Sequence, residues 1–241
     1  MRIVPSNLVQ LAAVGLVLAA GCARYPNGGG GAATTRLTFT MNTDGPVRFG
    51  TESGAAGVPY IYMVAIRTSN EVNPITQGPV PIIAPPWGNG FVAGGATHFV
   101  WWDPTQSSAQ YTLYRFVDDT LQQWTSVGIP VNVDVASPGD ARLRFEVDLA
   151  QLEPDPLLRV QIRSVQVNFL TMDRIPQSGT SKNWDALGDG RLPSEVNTWI
   201  TVPIQSDRLV NNSNSGLLEP RGDQAEPALD LVDWQIEVSV N

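Results

Sequence analysis

Few side chains in this sequence could perform catalysis. His98 is the only histidine, Cys22 the only cysteine and Lys182 the only lysine. A serine or cysteine hydrolase needs a general base beside its nucleophile, most often a histidine. No Gly-x-Ser-x-Gly elbow accompanies His98, so a packed or surface histidine is the favoured interpretation. A zinc site normally requires three or four nitrogen or sulfur ligands. The sequence therefore predicts no catalytic residue, no metal and no cofactor.

Carboxylates are the remaining candidates for chemistry, because a pair of them can perform glycoside hydrolysis. The available groups are Asp118-Asp119, Glu153 with Asp155, and Asp185 with Asp189. Asp118-Asp119 has the composition of a solvated hairpin tip. An alternative function is therefore a hydrolase that works through two loop carboxylates, for which Asp173 and Asp185 are the candidates.

The segment of residues 183–190 carries oxygen atoms that could hold calcium. It lacks the Asp-x-Asp-x-Asp-Gly order and the trailing glutamate of an EF-hand. A plain turn at Asp189-Gly190 is the preferred interpretation, and a calcium loop is the alternative. Further along, Arg221-Gly222-Asp223 spells an adhesion tripeptide, but a match of three residues occurs too often by chance to carry an argument.

Tryptophan residues offer the best candidate for a binding surface. Trp101 and Trp102 are adjacent, so in a strand they point to opposite faces and only one can join the core of a two-sheet fold. The other must be exposed or covered by a loop, and an exposed ring could stack on a sugar or contact a partner protein. Trp87 lies in the Pro/Gly-rich stretch of residues 68–95, where it either contacts a ligand or plugs one end of the sandwich. We expect Trp87, Trp101 and Trp102 to include the ligand-contacting residues.

The first 22 residues have the three parts of an export signal. A positive start at Met1-Arg2 precedes an apolar run over residues 8–18, and the small residues Ala19-Ala20-Gly21 lead to Cys22. The apolar run is shorter than the roughly 20 residues that a membrane span needs.

The ending of this segment resembles the lipobox of bacterial lipoproteins. The resemblance implies that residues 1–21 are a signal peptide and that the Cys22 sulfur carries a diacylglyceryl lipid after cleavage. Gly28 to Ala33 then reads as part of a flexible tether over residues 22–34, because glycine-rich chain has no side chains to bury. The residue directly after the cysteine is Ala23, whereas an aspartate at that position would resemble an inner-membrane retention signal. We therefore expect a lipid-anchored protein of the cell envelope, held at the outer membrane.

Composition excludes several partner classes. The net charge is -8 and no Lys/Arg cluster is present, so the sequence lacks the basic footprint of a nucleic-acid-binding protein. With one cysteine the folded body has no disulfide. A 42% hydrophobic and 16% charged composition indicates a globular body stabilised by an apolar core.

Strand patterns dominate the chain from residue 35 onward. Alternating or continuous apolar runs predict ten strands, over residues 35–41, 59–67, 96–103, 111–117, 121–127, 131–135, 143–147, 158–169, 199–204 and 232–240. One helical turn follows Asp148, with Asp148 as its N-cap, and Pro154 and Pro156 prevent its extension. Long loops are expected at residues 68–95 and 171–195. The fold class is therefore an all-β antiparallel β-sandwich of about ten strands, formed by residues 35–241 as one domain.

Residues 140–190 are faintly similar to the sandwich domains of the DOMON and family 9 carbohydrate-binding group. The likeness consists of a charged strand, the Asp-Leu-Ala-Gln-Leu turn and a Val-rich strand that ends at Asn168-Phe169.

The sequence as a whole favours a non-catalytic binding or structural module of the envelope. Its expected partners are the membrane, through Cys22, and a glycan or an envelope protein.

Overall fold

Alternating apolar residues build the first and last strands of the fold. In β1 (Thr35–Thr43) and β14 (Leu231–Val240) every second side chain is buried, and the two strands pair antiparallel with Phe39 opposite Ile236. A strand with one buried face produces this pattern, because successive side chains point to opposite sides. The inward residues of the pair are Leu37, Phe39, Met41, Trp234, Ile236 and Val238.

The structure is a computed structural model that describes residues 34–50, 60–82, 92–106, 109–118, 123–173, 183–192 and 198–241. These residues belong to a compact unit that extends from Ala33 to Asn241. The predicted signal segment, Cys22, residues 23–33 of the predicted tether and Trp87 lie outside the described residues.

Two antiparallel sheets face each other across the core, which confirms the predicted sandwich. The five-stranded sheet has the spatial order β13 (Arg208–Asn211), β14, β1, β9 (Arg142–Asp148), β8 (Asn132–Asp134). The seven-stranded sheet has the order β11 (Trp184–Ala186), β10 (Ser164–Met172), β2 (Ile61–Ser69), β5 (His98–Trp102), β6 (Tyr111–Asp118), β7 (Gln123–Gly128). Its seventh strand, β12 (Ile200–Pro203), pairs with the first half of β10 while β11 pairs with the second half. A separate ribbon consists of β3 (Val80–Ile82) and β4 (Val92–Gly94).

Aromatic rings fill the space between the sheets. Phe169 of β10 packs on Trp234 of β14 at 5.7 Å between ring centroids, and the Tyr111 and Phe145 rings meet across the sheets at 5.5 Å. Trp234 is 0% exposed. Burial of such large rings contributes to the hydrophobic stabilisation of the core, together with the aliphatic side chains around them.

The helical turn at Asp148 is confirmed, and a second one was not expected. α1 (Leu149–Leu152) has Asp148 as its N-cap in a capping box with Gln151. α2 (Pro156–Arg159) begins at the proline that we expected only to block helix, because the first helical position needs no N–H donor. The strand predicted over residues 158–169 therefore starts later, at Ser164, because the residues before it form α2 and its junction with the strand.

Four short strands extend the predicted ten. β3, β4, β11 and β13 have three or four residues each, and three of them lie in the stretches predicted to be long loops. β10 also runs on to Met172, past the expected end at Phe169. Strands this short carry too few residues for a hydrophobic period to show, and neighbouring strands fix them.

Candidate functional site

His98 is a packed histidine. It is 3% exposed, its Nδ1 lies 3.0 Å from the Thr97 hydroxyl, and its Nε2 has no hydrogen-bond partner among the described residues. Burial, with a smaller contribution from Arg115, lowers the pKa of His98 to about 4, so the ring is neutral near pH 7. A groove of about 430 Å³ lies beside it, lined in part by Arg67 and Arg115. This setting agrees with the packed histidine favoured by the sequence.

The adjacent tryptophans divide between the two faces of the seven-stranded sheet. Trp102 is 1% exposed and lies in the core, where its Nε1 donates to Gln110 Oε1 at 3.2 Å. Its ring is not accessible to a ligand, which corrects the expectation that Trp102 contributes to a binding surface. Trp101 points to the outer face and is partly buried. Of the two predicted tryptophans that lie among the described residues, Trp101 is the one near the surface.

Trp101 belongs to a group of rings that we call the outer aromatic cluster. The cluster spans β5, β6 and β7 and consists of Phe99, Trp101, Tyr114, Phe116 and Trp124. Phe99 is 0% exposed at its centre, stacked on Tyr114 at 4.9 Å and met edge-on by Trp124 at 5.5 Å. Trp101 lies 6.4 Å from Tyr114. The four peripheral rings are partly buried, so they form a rigid apolar surface with a solvent-facing side.

A loop covers the other half of this sheet face. Gln166 and Asn168 of β10 donate side-chain N–H groups to the carbonyls of Thr76 and Pro79, each at 3.0 Å. Trp199 lies over Gly78, where a β-carbon would come within 2.5 Å of the ring. The covering loop and the outer aromatic cluster thus share one sheet face, and the cluster occupies the β5–β7 side.

Four acidic residues form a second candidate site, which we call the acidic cluster. Asp185 lies on β11 of the seven-stranded sheet, Glu219 and Asp223 lie in the segment between β13 and β14, and Asp230 precedes β14. Asp185, Glu219 and Asp223 each place one carboxylate oxygen within 4.8 Å of the others. Exposure is 2% for Asp185, 4% for Glu219 and 1% for Asp230. Asp223 is half-buried, so three of the four acids lie inside the protein and Asp223 lies nearer the surface.

Backbone amides hold these carboxylates in place. Asp185 accepts from Leu231 N at 2.7 Å and from Ala186 N at 2.9 Å, which joins β11 to the first residue of β14 in the opposite sheet. Glu219 Oε2 accepts from Gly188 N at 3.0 Å, and Asp223 Oδ2 accepts from Gly190 N at 2.7 Å. Gly188 has a φ of +106°, a conformation that favours glycine and turns the chain after β11 toward Glu219.

Two oxygens of the acidic cluster remain without a partner. Glu219 Oε1 and Asp223 Oδ1 are buried and form no hydrogen bond with any described residue. Burial, together with the charge of Asp223, raises the pKa of Asp185 to about 8, and burial together with Asp185 raises the pKa of Glu219 to about 10. Burial and Asp230 also raise the pKa of Asp223. The arrangement brings several carboxyl groups together where burial and their mutual repulsion disfavour the ionised form.

The other predicted carboxylates serve local structure. Asp189 forms a bidentate pair with Arg191 at 2.7 and 2.8 Å, and Asp155 caps α2 by accepting from Leu157 N at 2.8 Å. Asp173 is 0% exposed, accepts from Asn183 N at 2.8 Å and is not part of the acidic cluster. Among these candidates, Asp185 is the one that the structure brings together with other acids.

Sequence reasoning missed Glu219, Asp223 and Asp230. The tripeptide Arg221-Gly222-Asp223 contains Asp223, but it does not indicate which other acids lie near that residue. The partners of Asp185 come from a distant segment of the chain, and Leu231 N is its link to the opposite sheet. No spacing rule could have revealed the cluster, because the packing of the two sheets against each other brings its members together.

Among the described residues, no helix has the length and apolar character needed to cross a membrane. A scan against protein-family models finds no match, and searches of the curated proteins and of the solved structures find no significant match either.

Proposed function

We propose that this chain is a non-catalytic binding module of the cell envelope, anchored by a lipid on Cys22, with the outer aromatic cluster as its contact surface. The observation that carries the proposal is the set of partly buried rings, Trp101, Tyr114 and Trp124, on three neighbouring strands. Such rings offer rigid contact area and lose little conformational entropy on binding. Their fixed spacing suits a sugar chain or an apolar patch on an envelope protein.

The packing of the acidic cluster favours a binding module over a hydrolase. Glycosidases hold two carboxyl groups roughly 5 to 10 Å apart, on either side of a substrate that must enter between them. Asp185 and Glu219 are nearly inaccessible, and their oxygens lie within 4.8 Å of each other. Neither of these two carboxyl groups is therefore accessible to a polysaccharide in this structure.

The first prediction concerns the outer aromatic cluster. We expect Trp101→Ala to weaken binding about 30-fold, which corresponds to the roughly 2 kcal/mol of an aromatic anchor at an interface. Full-length protein in mild detergent would be titrated with polysaccharides and peptidoglycan fragments, and tryptophan fluorescence and product formation would be recorded. Trp199→Ala is the matched control, because Trp199 packs on Gly78 outside the cluster. Equal loss in both variants, or turnover of any polysaccharide, would contradict the proposal.

The second prediction concerns the anchor. We expect Cys22→Ala to abolish incorporation of a palmitate analogue and to shift the protein from the membrane to the soluble fraction. Two or three acyl chains, at about 0.8 kcal/mol for each buried methylene, make attachment effectively permanent. Fractionation of inner and outer membranes would also test the outer-membrane location inferred from Ala23. If the variant stayed in the membrane fraction and kept the label, the lipid-anchor proposal would be wrong.

A further inference from the structure

We propose that Asp185, Glu219 and Asp223 bind a calcium ion that joins the two sheets at one end of the sandwich. The three residues lie on two segments that approach from opposite sheets, β11 and the segment before β14. This inference does not depend on the outer aromatic cluster, so the two proposals can fail separately.

Unpartnered buried oxygens point to a cation in the acidic cluster. Glu219 is 96% buried, and its Oε1 forms no hydrogen bond with a described residue, although Oε2 is held by Gly188 N. Asp223 repeats the pattern, with Oδ2 held by Gly190 N and Oδ1 left without a partner. A buried carboxylate oxygen without a partner is costly, and a bound metal ion removes that cost.

No basic side chain forms an ion pair with these carboxylates. Within the described part of the chain, no arginine, lysine or histidine lies within ion-pair distance of Asp185, Glu219, Asp223 or Asp230. Arg191 is paired with Asp189 and acts on Asp223 and Asp230 only from beyond that distance, and Arg221, two residues from Asp223, is paired with Asp44. Each of the four acids therefore lacks a direct ion-pair partner.

Ligand type and spacing select calcium. All the candidate ligands are oxygen atoms, which suit hard cations such as Ca²⁺ and Mg²⁺ rather than zinc or copper. Two oxygens on one Ca²⁺, at about 2.3–2.6 Å each, can be up to roughly 5 Å apart, whereas Mg²⁺, at about 2.0–2.1 Å, allows roughly 4 Å. The three oxygens lie within 4.8 Å of one another, a range that one calcium ion can span. Magnesium usually keeps several of its waters, for which a site lined by buried carboxylates offers little room, so calcium is the better fit.

The backbone pre-organises the site. Asp230 accepts from Gly222 N at 2.8 Å and from Gln224 N at 3.2 Å, which fixes the turn that carries Asp223. Gly190 brings the chain close to both sides of the site, since a β-carbon there would lie 3.2 Å from Asp223 Oδ2 and 3.9 Å from Asp185 Oδ1. An ion held by these groups would tie the chain after β11 to the chain before β14.

Calcium titration of the full-length chain tests the proposal. Protein in mild detergent, stripped with EDTA and dialysed, would be titrated with CaCl₂ or MgCl₂, and bound metal and Tm would be measured. We expect one equivalent of bound calcium, a preference over magnesium, and a rise in Tm of roughly 5–10 °C at a hundredfold excess over Kd.

Two variants separate a metal ligand from a residue that only supports folding. We expect Glu219→Gln to weaken calcium binding by more than about tenfold. In EDTA the same variant should be at least as stable as the wild type, because a neutral amide replaces the buried carboxylate. Asp189→Asn is the matched control, since Asp189 lies in the same loop but is bound by Arg191. Absence of calcium binding, or calcium binding that Glu219→Gln retains or Asp189→Asn abolishes, would overturn the proposal.

Discussion

Replacing Trp234 by alanine is expected to lower the free energy of unfolding by about 3–5 kcal/mol, the range for deletion of a large buried aromatic side chain. Trp234 is 0% exposed and packs on Phe169 between the sheets, where neither sheet can move inward without losing other contacts. The lost ring therefore leaves a cavity and not a collapsed core. Urea unfolding of the two proteins in EDTA, followed by far-ultraviolet circular dichroism, would measure the difference.

Trp234→Phe is the informative companion to that substitution. The Trp234 indole N–H is buried without a hydrogen-bond partner in the described structure, so phenylalanine removes an unsatisfied donor along with some volume. Because burying such a donor costs about 1–3 kcal/mol, we expect Trp234→Phe to cost much less than Trp234→Ala. Equal destabilisation by both substitutions would show that burying the Trp234 indole N–H without a partner costs no free energy in this core.

The second large effect is a loss of stability with rising pH in metal-free protein. In the unfolded chain, carboxyl groups titrate near pH 4, whereas Asp185 and Glu219 keep their protons in the native state up to about pH 8 and 10. The native state then binds more protons than the unfolded state, so stability falls as pH rises, by about 1.4 kcal/mol per pH unit for each such group. The fall extends from about pH 4, where these carboxyls titrate in the unfolded chain, to about pH 8 for Asp185 and about pH 10 for Glu219. The range from pH 6.5 to 8 isolates it, because above pH 6.5 His98 is neutral in both states and its lowered pKa no longer contributes.

Thermal unfolding in EDTA over that pH range would measure the effect. The groups that face the two carboxyls are Asp223 and Asp230, both acidic, and the amides of Gly188 and Leu231, so no base compensates for their ionisation. Glu219→Gln removes one titrating group and should flatten the pH profile, while Asp189→Asn should leave it unchanged. A stability that is constant or increases from pH 6.5 to 8 in EDTA would show that the cluster is ionised without a cation.

Hydrophobic periodicity predicts the long strands because the burial of one face of a strand creates that periodicity. The alternation in residues 232–240 and 143–147 corresponds to β14 and β9, whose inner side chains are buried and outer ones are not. The sequence also predicts the α1 cap, since Asp148 satisfies free amides of the first turn locally. Prediction fails where the structure depends on distant partners. β11 exists because Leu170 to Met172 offer an open edge, and β10 shows no alternation because all nine of its residues are buried.

For the candidate functional residues too, the sequence predicts what local geometry decides and not what depends on distant parts of the chain. That Trp101 and Trp102 point to opposite faces follows from strand geometry, but which of them enters the core depends on how the second sheet lies. Asp185 is visible in the sequence as part of an acidic loop, whereas Glu219 looks like one glutamate in a polar segment. Their meeting depends on β11 and β14 lying in opposite sheets that face each other.

The position of β1 between β9 and β14 has a consequence for how the protein acquires its structure. β1 forms its ladder with strands from the middle and from the far end of the described chain, and its pairing with β14 extends over the whole length of β1. A chain that emerges N-terminus first would therefore hold β1 with one edge unpaired until residues 231–240 have been released. Because such long-range pairings make β-proteins slow to fold, we expect the emerging chain to depend on chaperones that shield the exposed edge of β1.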